Sequence, residues 1–263
     1  MSIEQAASPQ FNLKGKRGLI LGIANDHSIA AGCARQFAAQ GAILAATYLN
    51  ATAKPFVSAV TDALPCPILL ACNVLDPGAL EAVFADITKN WGSLDFVLHS
   101  IAFAPKNDLH GRVTDCSAAG FATAMDVSCH SFIRAAKLAE PLMKQGGTLL
   151  AVSFYGSAHV VAHYNIMGPV KAALESSVRY LAAELGPQQI RVHALSPGPI
   201  ATRAARGIDR FDELLADAAI QAPEHQLVTI DDVGAVAAFL VSDAARHMTG
   251  TIIPIDAGQQ VVA

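Results

Sequence analysis

Charge is scarce in this sequence: Asp, Glu, Lys and Arg make up 15% of its 263 residues, and hydrophobic residues 52%. So apolar a chain must hide much of its surface, in a sheet covered on both faces or between subunits, and an oligomer is expected. Basic residues are the minority among the charges, 18 against 22 acidic, for a net charge of −4, and no Lys/Arg cluster stands out. Without a basic field to grip phosphate backbones, nucleic acid is excluded as an expected partner. Cysteines are few and ill-spaced: Cys33, Cys66, Cys72, Cys116 and Cys129 are odd in number and form no C-x-x-C. That argues against a disulfide framework and a zinc site, and for a reducing compartment. His159 and His163 stand four apart, but HVVAH lacks the glutamate of a zinc-protease motif, so no metal is expected. No apolar stretch reaches membrane-spanning length without a charge, Gly or Pro, and MSIEQAASPQFN has neither the basic start nor the apolar core of a signal peptide. The expectation is a cytoplasmic protein with no membrane association and a flexible N-terminal extension over residues 1–13.

What is present is alternation. RGLILGI (17–23), AILAATYL (42–49), PILLACNV (67–74), DFVLHSIA (95–102), GTLLAVSF (147–154), IRVHALSP (190–197) and TIIPIDAG (251–258) are short, nearly continuous apolar runs. Between them, 28–39, 77–90, 117–143, 168–185 and 230–242 carry helical spacing. Continuous apolarity marks strands buried on both faces, and βα repetition marks a parallel sheet. With no fixed-period repeat and no low-complexity linker, residues 14–263 are predicted to form one α/β domain, a doubly wound Rossmann fold on a seven-stranded parallel sheet. The least regular stretch, about 198–228, follows the sixth strand. A loop there would lie beyond a strand's carboxyl end, where open α/β sheets bind ligands.

The first strand runs into GIANDHSIAAGC, where Gly22 permits a tight turn and Ser28 can cap a helix whose free N–H groups face a pyrophosphate. Ala24 and Asn25 stand where G-x-G-x-x-G would have more glycine, so the spacing alone leaves an ordinary strand-to-helix turn open. The second strand ends in Tyr48, Leu49 and Asn50, with no carboxylate for ribose hydroxyls and no arginine for a 2′-phosphate. NADH is the expected cofactor, and NADPH stays open. Lys54, the nearest cation, is better read as a solvated helix residue.

GIANDHSIA at the first turn, TYLN after strand two, CNV after strand three, HSIAFAP after strand four, YNIMGPVKAALESSVRYLAAELGP and SPGPIAT after strand six together resemble the short-chain dehydrogenase/reductase superfamily, specifically its enoyl-acyl-carrier-protein reductase branch. The Tyr-x6-Lys spacing of Tyr164 and Lys171 separates this branch from commoner members, which place tyrosine four before the lysine, here Met167, and serine seventeen before it, here Phe154. The resemblance implies NADH-dependent reduction of the 2,3-double bond of an enoyl thioester in fatty acid biosynthesis. It implies that Tyr164 hydrogen-bonds the thioester oxygen as charge develops there, and that Lys171 holds the nicotinamide ribose and favours proton delivery. It also implies Gly22, Ala24, Ser28 and Ile29 at the pyrophosphate, Leu49, Cys72, Asn73 and Val74 at the adenosine, and Ser100, Ile101, Ala102, Gly198, Pro199, Ile200 and Thr202 at the nicotinamide half. Phe103, Tyr155, Met167 and Phe211 are the expected substrate residues, and a homotetramer the implied assembly.

Several positions depart from that pattern. Asn73 replaces the usual aspartate, and Phe154 a usual tyrosine; Tyr155 points to the opposite side if the strand stays regular. Pro197 stands where these reductases often carry alanine. Pro169, between the two expected catalytic residues, is harmless only where the helix starts near Gly168, since a mid-helix proline costs about 3 kcal/mol. The covering segment holds Asp209, Asp212, Glu213, Asp217 and Glu224 against Arg203, Arg206 and Arg210. Long-range attraction to an acidic acyl-carrier protein is thereby weakened, leaving room for a coenzyme A thioester or a free unsaturated compound. A short-chain reductase of another substrate and a non-catalytic dinucleotide sensor remain the alternatives. His99, at the end of strand four, reads as a structural hydrogen-bonder.

Overall fold

A computed structural model describes residues 11–203 and 205–262. The chain order is β1 (Arg17–Leu21), α1 (Ile29–Ala39), β2 (Ile43–Tyr48), α2 (Lys54–Thr61), β3 (Ile68–Ala71), α3 (Ala79–Asn90), β4 (Phe96–His99) and α4 (Lys106–Leu109). It continues with α5 (Ala118–Met125), a π turn (Asp126–His130), α6 (Ser131–Ala139), β5 (Gly147–Val152), α7 (Met167–Leu185), β6 (Ile190–Pro197), α8 (Phe211–Gln221), α9 (Ile230–Val241) and β7 (Ile252–Ile255). All seven strands pair in parallel, in the order β3-β2-β1-β4-β5-β6-β7. This is the doubly wound sheet expected, and the order reverses between β1 and β4, where such sheets open a ligand crevice at their carboxyl ends.

Helices cover both faces. On one, Phe84, Phe132, Leu174 and Val178 from α3, α6 and α7 pack on Leu19, Val97 and Leu149; on the other, Phe37, Val233 and Ala237 from α1 and α9 pack on Ile20, Phe96 and Leu195. The interior strands thus bury both rows of side chains, which is why their runs read as continuously apolar, while the edge strands β3 and β7 are only partly covered. Helices α1 and α9 touch through small residues: a Cβ on Gly32 would overlap the Ile230 carbonyl.

Four details differ from the sequence expectation. Most strands end two or three residues early, β1 at Leu21, β3 at Ala71 and β4 at His99, because the rest of each apolar run leaves the ladder to line the crevice. The 117–143 helix is interrupted by the π turn. The stretch expected as loop contains α8, which buries Phe211 and Ala218 and carries Asp212 and Glu213 in its first turn, where the helix dipole favours carboxylates. Helix α2, of which only Lys54 was read as helical, extends to Thr61; Pro55 in its first turn starts it. Residues 1–10 of the expected extension lie outside the described residues; Leu13 is fully buried and its N–H donates to the Gln40 carbonyl (2.8 Å), so the packed body already includes it. Among the described residues no helix is long and apolar enough to cross a membrane, all five cysteines are free, and no metal-ligating cluster occurs.

Two buried histidines make the fold acid-sensitive. His99 Nε2 lies 2.7 Å from the Ser131 hydroxyl and His193 Nδ1 2.7 Å from that of Thr251, and both rings are inaccessible. Burial, then the positive charge of Lys171, pushes His99 down to about 3; burial, then Arg191, pushes His193 down to about 4. Below pH 6.5 the unfolded chain binds protons that the folded chain refuses, so stability falls as pH falls. At pH 5 His99 alone is expected to cost about 2 kcal/mol relative to neutrality, with His193 adding in the same direction. Urea midpoints at pH 7 and pH 5 check this; His99→Gln should flatten the difference, and equal midpoints in the wild type would contradict it.

Candidate active site

At the carboxyl end of β1, Gly22 sits at φ +109°, and a Cβ there would overlap the Ser100 carbonyl. The first strand can therefore turn beside β4 only with glycine at this point. Ser28 then caps α1: its Oγ accepts from Ala31 N (3.3 Å) and Ala24 N (3.4 Å) and donates to the Asn25 carbonyl (2.7 Å). The next two amides, Ile29 and Ala30, have no acceptor among the described residues. A pair of free first-turn N–H groups at a switch point suits a diphosphate.

The expected adenosine residues occupy the neighbouring strand ends. Leu49 is exposed past β2, and Cys72 and Val74 are buried past β3. Asn73 donates to Asp76 Oδ1 (3.0 Å), so a carboxylate stands one residue-length behind the position where an aspartate is usual. Lys54 lies over the Tyr48 ring, its Nζ 5.6 Å from the centroid.

The centre lies beyond β4 and β5. Met167 opens α7, which places Pro169 third in the helix, within the first turn where no helical hydrogen bond is lost, and Lys171 one residue-pair further along the inward face. Lys171 is buried and donates to the Val152 carbonyl (2.6 Å). Burial pushes its ammonium down to about 8, against the opposing pull of Glu175 and Cys129. Tyr164, also buried, precedes α7 in a tight loop with His163 and Asn165 at positive φ. Its ring rests 4.8 Å from that of Phe154 and closes over Gly156, and its hydroxyl has no hydrogen-bond partner among the described residues. Burial, reinforced by Glu175, raises its pKa above the ordinary tyrosine value.

A cavity of about 660 Å³ opens here, walled by Phe103, Phe154, Tyr164, Met167, Ile200 and Phe211. Ile29, Ala102, Gly198, Pro199 and Thr202 line it as well. Three of the four expected substrate residues are thus on its wall. Tyr155 is not: β5 stops at Val152, the strand alternation assumed for it does not extend to 154–155, and a single 3-10 turn carries its hydroxyl to Gln259 (3.3 Å). Phe154 faces the cavity in its place. Gly22, Ala24, Ser28, Leu49, Cys72, Asn73, Val74, Ser100, Ile101 and Lys171 are not among the residues that line it.

Two residues overlooked in the sequence hold the site together. Ser128, in the π turn, accepts from Phe103 N (2.9 Å) and donates to Phe103 O (3.0 Å), clasping the loop after β4. Glu175 accepts from the hydroxyls of Ser153 (2.6 Å) and Ser157 (2.7 Å). The only cue to Glu175 was an acid one helical turn after a lysine on an otherwise apolar face. At the mouth, His110 Nε2 meets the Gly207 carbonyl (2.9 Å), Asn165 donates to the Leu109 carbonyl (2.8 Å), and His163 stands 3.5 Å from Asp209. Lys106, Arg206, Asp209 and Arg210 are on the cavity wall, with Arg210 3.8 Å from Glu213, whereas Asp212, Glu213 and Asp217 face solvent on α8.

The family model for enoyl-(acyl carrier protein) reductase matches residues 22–260. The chain is 46% identical over 255 residues to enoyl-[acyl-carrier-protein] reductase [NADH] 2 of Rhizobium meliloti, covering 95% of this chain and 94% of that one. It is 41% identical to the NADH enzyme of Aquifex aeolicus, at 95% and 93% coverage. The crystal structure of the Anaplasma phagocytophilum reductase in complex with NAD superposes with a TM-score of 0.92 at 45% identity, covering 97% of each chain.

Proposed function

The chain belongs to the enoyl-(acyl carrier protein) reductase family, and from that premise we propose how its residues divide the work of an NADH-dependent reductase. The reaction is reduction of the 2,3-double bond of an enoyl thioester, a step of fatty acid biosynthesis, with the acyl group carried on acyl-carrier protein. When bound, NADH supplies the hydride that adds to the β-carbon, which leaves negative charge on the thioester oxygen.

The free N–H groups of Ile29 and Ala30, with Ser28 shaping the turn, bind the diphosphate, and Gly22 lets the backbone close around it. The strand ends at Leu49 and Cys72–Val74 form the adenosine wall. Ser100, Ile101 and Ala102 on one side and Gly198, Pro199, Ile200 and Thr202 on the other flank the nicotinamide half. Lys171 reaches the ribose hydroxyls from beneath, anchored by the Val152 carbonyl. Phe103, Phe154, Met167 and Phe211 exclude water from the acyl chain, which strengthens any charge interaction made inside. Tyr164 donates its hydroxyl to the thioester oxygen. The observation that carries this assignment is a buried tyrosine on the cavity wall whose hydroxyl has no hydrogen-bond partner among the described residues.

Lys106, Arg206 and Arg210 on the cavity wall, against the carboxylate of Asp209 there, support an anionic carrier arm at short range. Residues 198–228 form the segment that covers the substrate. The homotetramer and the cytoplasmic setting remain part of this reading; exposed Phe121 on α5 and Tyr180 on α7 supply apolar surface for subunit contact.

The decisive assay mixes the protein with crotonyl thioesters of acyl-carrier protein and of coenzyme A and follows the loss of NADH absorbance, with NADPH as a parallel arm. Turnover is expected with NADH and the carrier-protein thioester. No turnover of any enoyl thioester, together with reduction of a simple ketone, would overturn the reading.

A further inference from the structure

Glu175 is a buried carboxylate one helical turn beyond Lys171, and nothing in the division of labour above employs it. A single oxygen, Oε1, accepts hydrogen bonds from two hydroxyls, Ser153 at 2.6 Å and Ser157 at 2.7 Å. Those serines bracket Phe154, Tyr155 and Gly156. Phe154 and Gly156 are the two residues against which the Tyr164 ring is seated. Ser153 is itself tied to β6 by its N–H on the Leu195 carbonyl (2.7 Å), while Val152, the residue before it, receives the Lys171 ammonium. One carboxylate therefore joins the end of β5 and the turn after it to the helix that carries Lys171.

Resting on the reductase reading above, we propose that Glu175 is a positioning residue: it clamps 153–157 onto α7 under Tyr164 and supplies the buried negative charge against which the Lys171 ammonium is held. The groups around Lys171 leave that charge to Glu175. Cys129, from the π turn, has its thiol pushed up by burial, so its pull on Lys171 arises only above the ordinary thiol range; His99, from β4, is pushed down to about 3 and is neutral; Tyr164, from the loop before α7, is pushed up and is neutral. Burial drives Lys171 down to about 8, and Glu175 leads the opposing influences. Removing the carboxylate therefore lets Lys171 lose its proton at lower pH.

The test is the pH profile of NADH affinity and of kcat/KM for NADH in Glu175→Gln, between about pH 6 and pH 10. The basic limb of both is expected to move down by about one pH unit, with the acid side of the profile retained. A merely structural glutamate would lower melting temperature and rate without moving the limb, and a limb that superposes on the wild type overturns the proposal. Where Glu175→Gln does not fold, the double variant Ser153→Ala/Ser157→Ala carries the test: it keeps the charge and removes what it holds, so kcat should fall about tenfold with the limb in place. Wild-type kcat in that variant overturns the clamp. NADH affinity is read without any acyl substrate, so failure of the reductase reading would leave the Glu175 result intact and distinguishable.

Discussion

Lys171→Met is expected to lower kcat/KM by about a thousandfold, because it deletes two charge-assisted hydrogen bonds to the ribose at about 2 kcal/mol each. Methionine fills the same channel through α7 with an unbranched side chain, so the loss is chemical more than steric. It does leave the Val152 carbonyl without its donor and Glu175 without an opposing cation, and the variant should melt earlier than the wild type. The signature that matters is where the loss falls. NADH affinity measured by fluorescence should weaken along with kcat, since Lys171 is assigned to the cofactor and not to the acyl group. A folded Lys171→Met enzyme within tenfold of wild type would remove Lys171 from the site. In the wild type, the burial that holds Lys171 near 8 predicts activity on the acid side of that value and a decline above it.

How far the sequence foretold this site depended on the scale of the signal. Strands buried on both faces betray themselves through continuous apolarity, and all seven were legible in place and in parallel orientation, though not in their order across the sheet. Their ends were not, because Gly22, Cys72 and Ser100 extend the same apolar runs after the ladder has stopped; periodicity cannot distinguish a residue facing the core from one facing a ligand crevice. Strand alternation set Tyr155 opposite Phe154, and the two do part, but for another cause: β5 ends at Val152 and the following turn sends Tyr155 towards Gln259.

Helical features were readable where local chemistry dictated them. Ser28 caps α1 as its type and position required, and Pro169 is accommodated because α7 begins at Met167. Helix α8 was missed because its acids look like loop polarity until they are counted as first-turn residues on an N-terminus. Ser128 and Glu175 illustrate a harder limit. Each is an ordinary polar residue on a helix by sequence, and each becomes a clasp only because the fold brings residues 25 and 22 positions away within hydrogen-bonding distance. Spacing revealed the tyrosine and lysine; the polar groups that hold them had no spacing to reveal.

Tyr164→Phe separates the acyl side of the mechanism from the cofactor side. Phenylalanine preserves the ring that packs on Phe154 and Gly156, so fold and NADH affinity should stay near wild type. What disappears is the single hydroxyl donor to a developing oxyanion, and kcat is expected to fall by about a hundredfold to a thousandfold. Because burial raises the Tyr164 pKa, the phenol keeps its proton throughout the range in which Lys171 titrates. The basic limb therefore belongs to the lysine and should persist, at the same pH, in the residual activity of Tyr164→Phe. A variant within threefold of wild type in kcat, measured on crotonyl thioester with saturating NADH, would mean that the thioester oxygen finds its donor elsewhere. Loss of NADH affinity matching that of Lys171→Met would instead mean that tyrosine and lysine serve the cofactor together, and that Tyr164 is not assigned to the enolate.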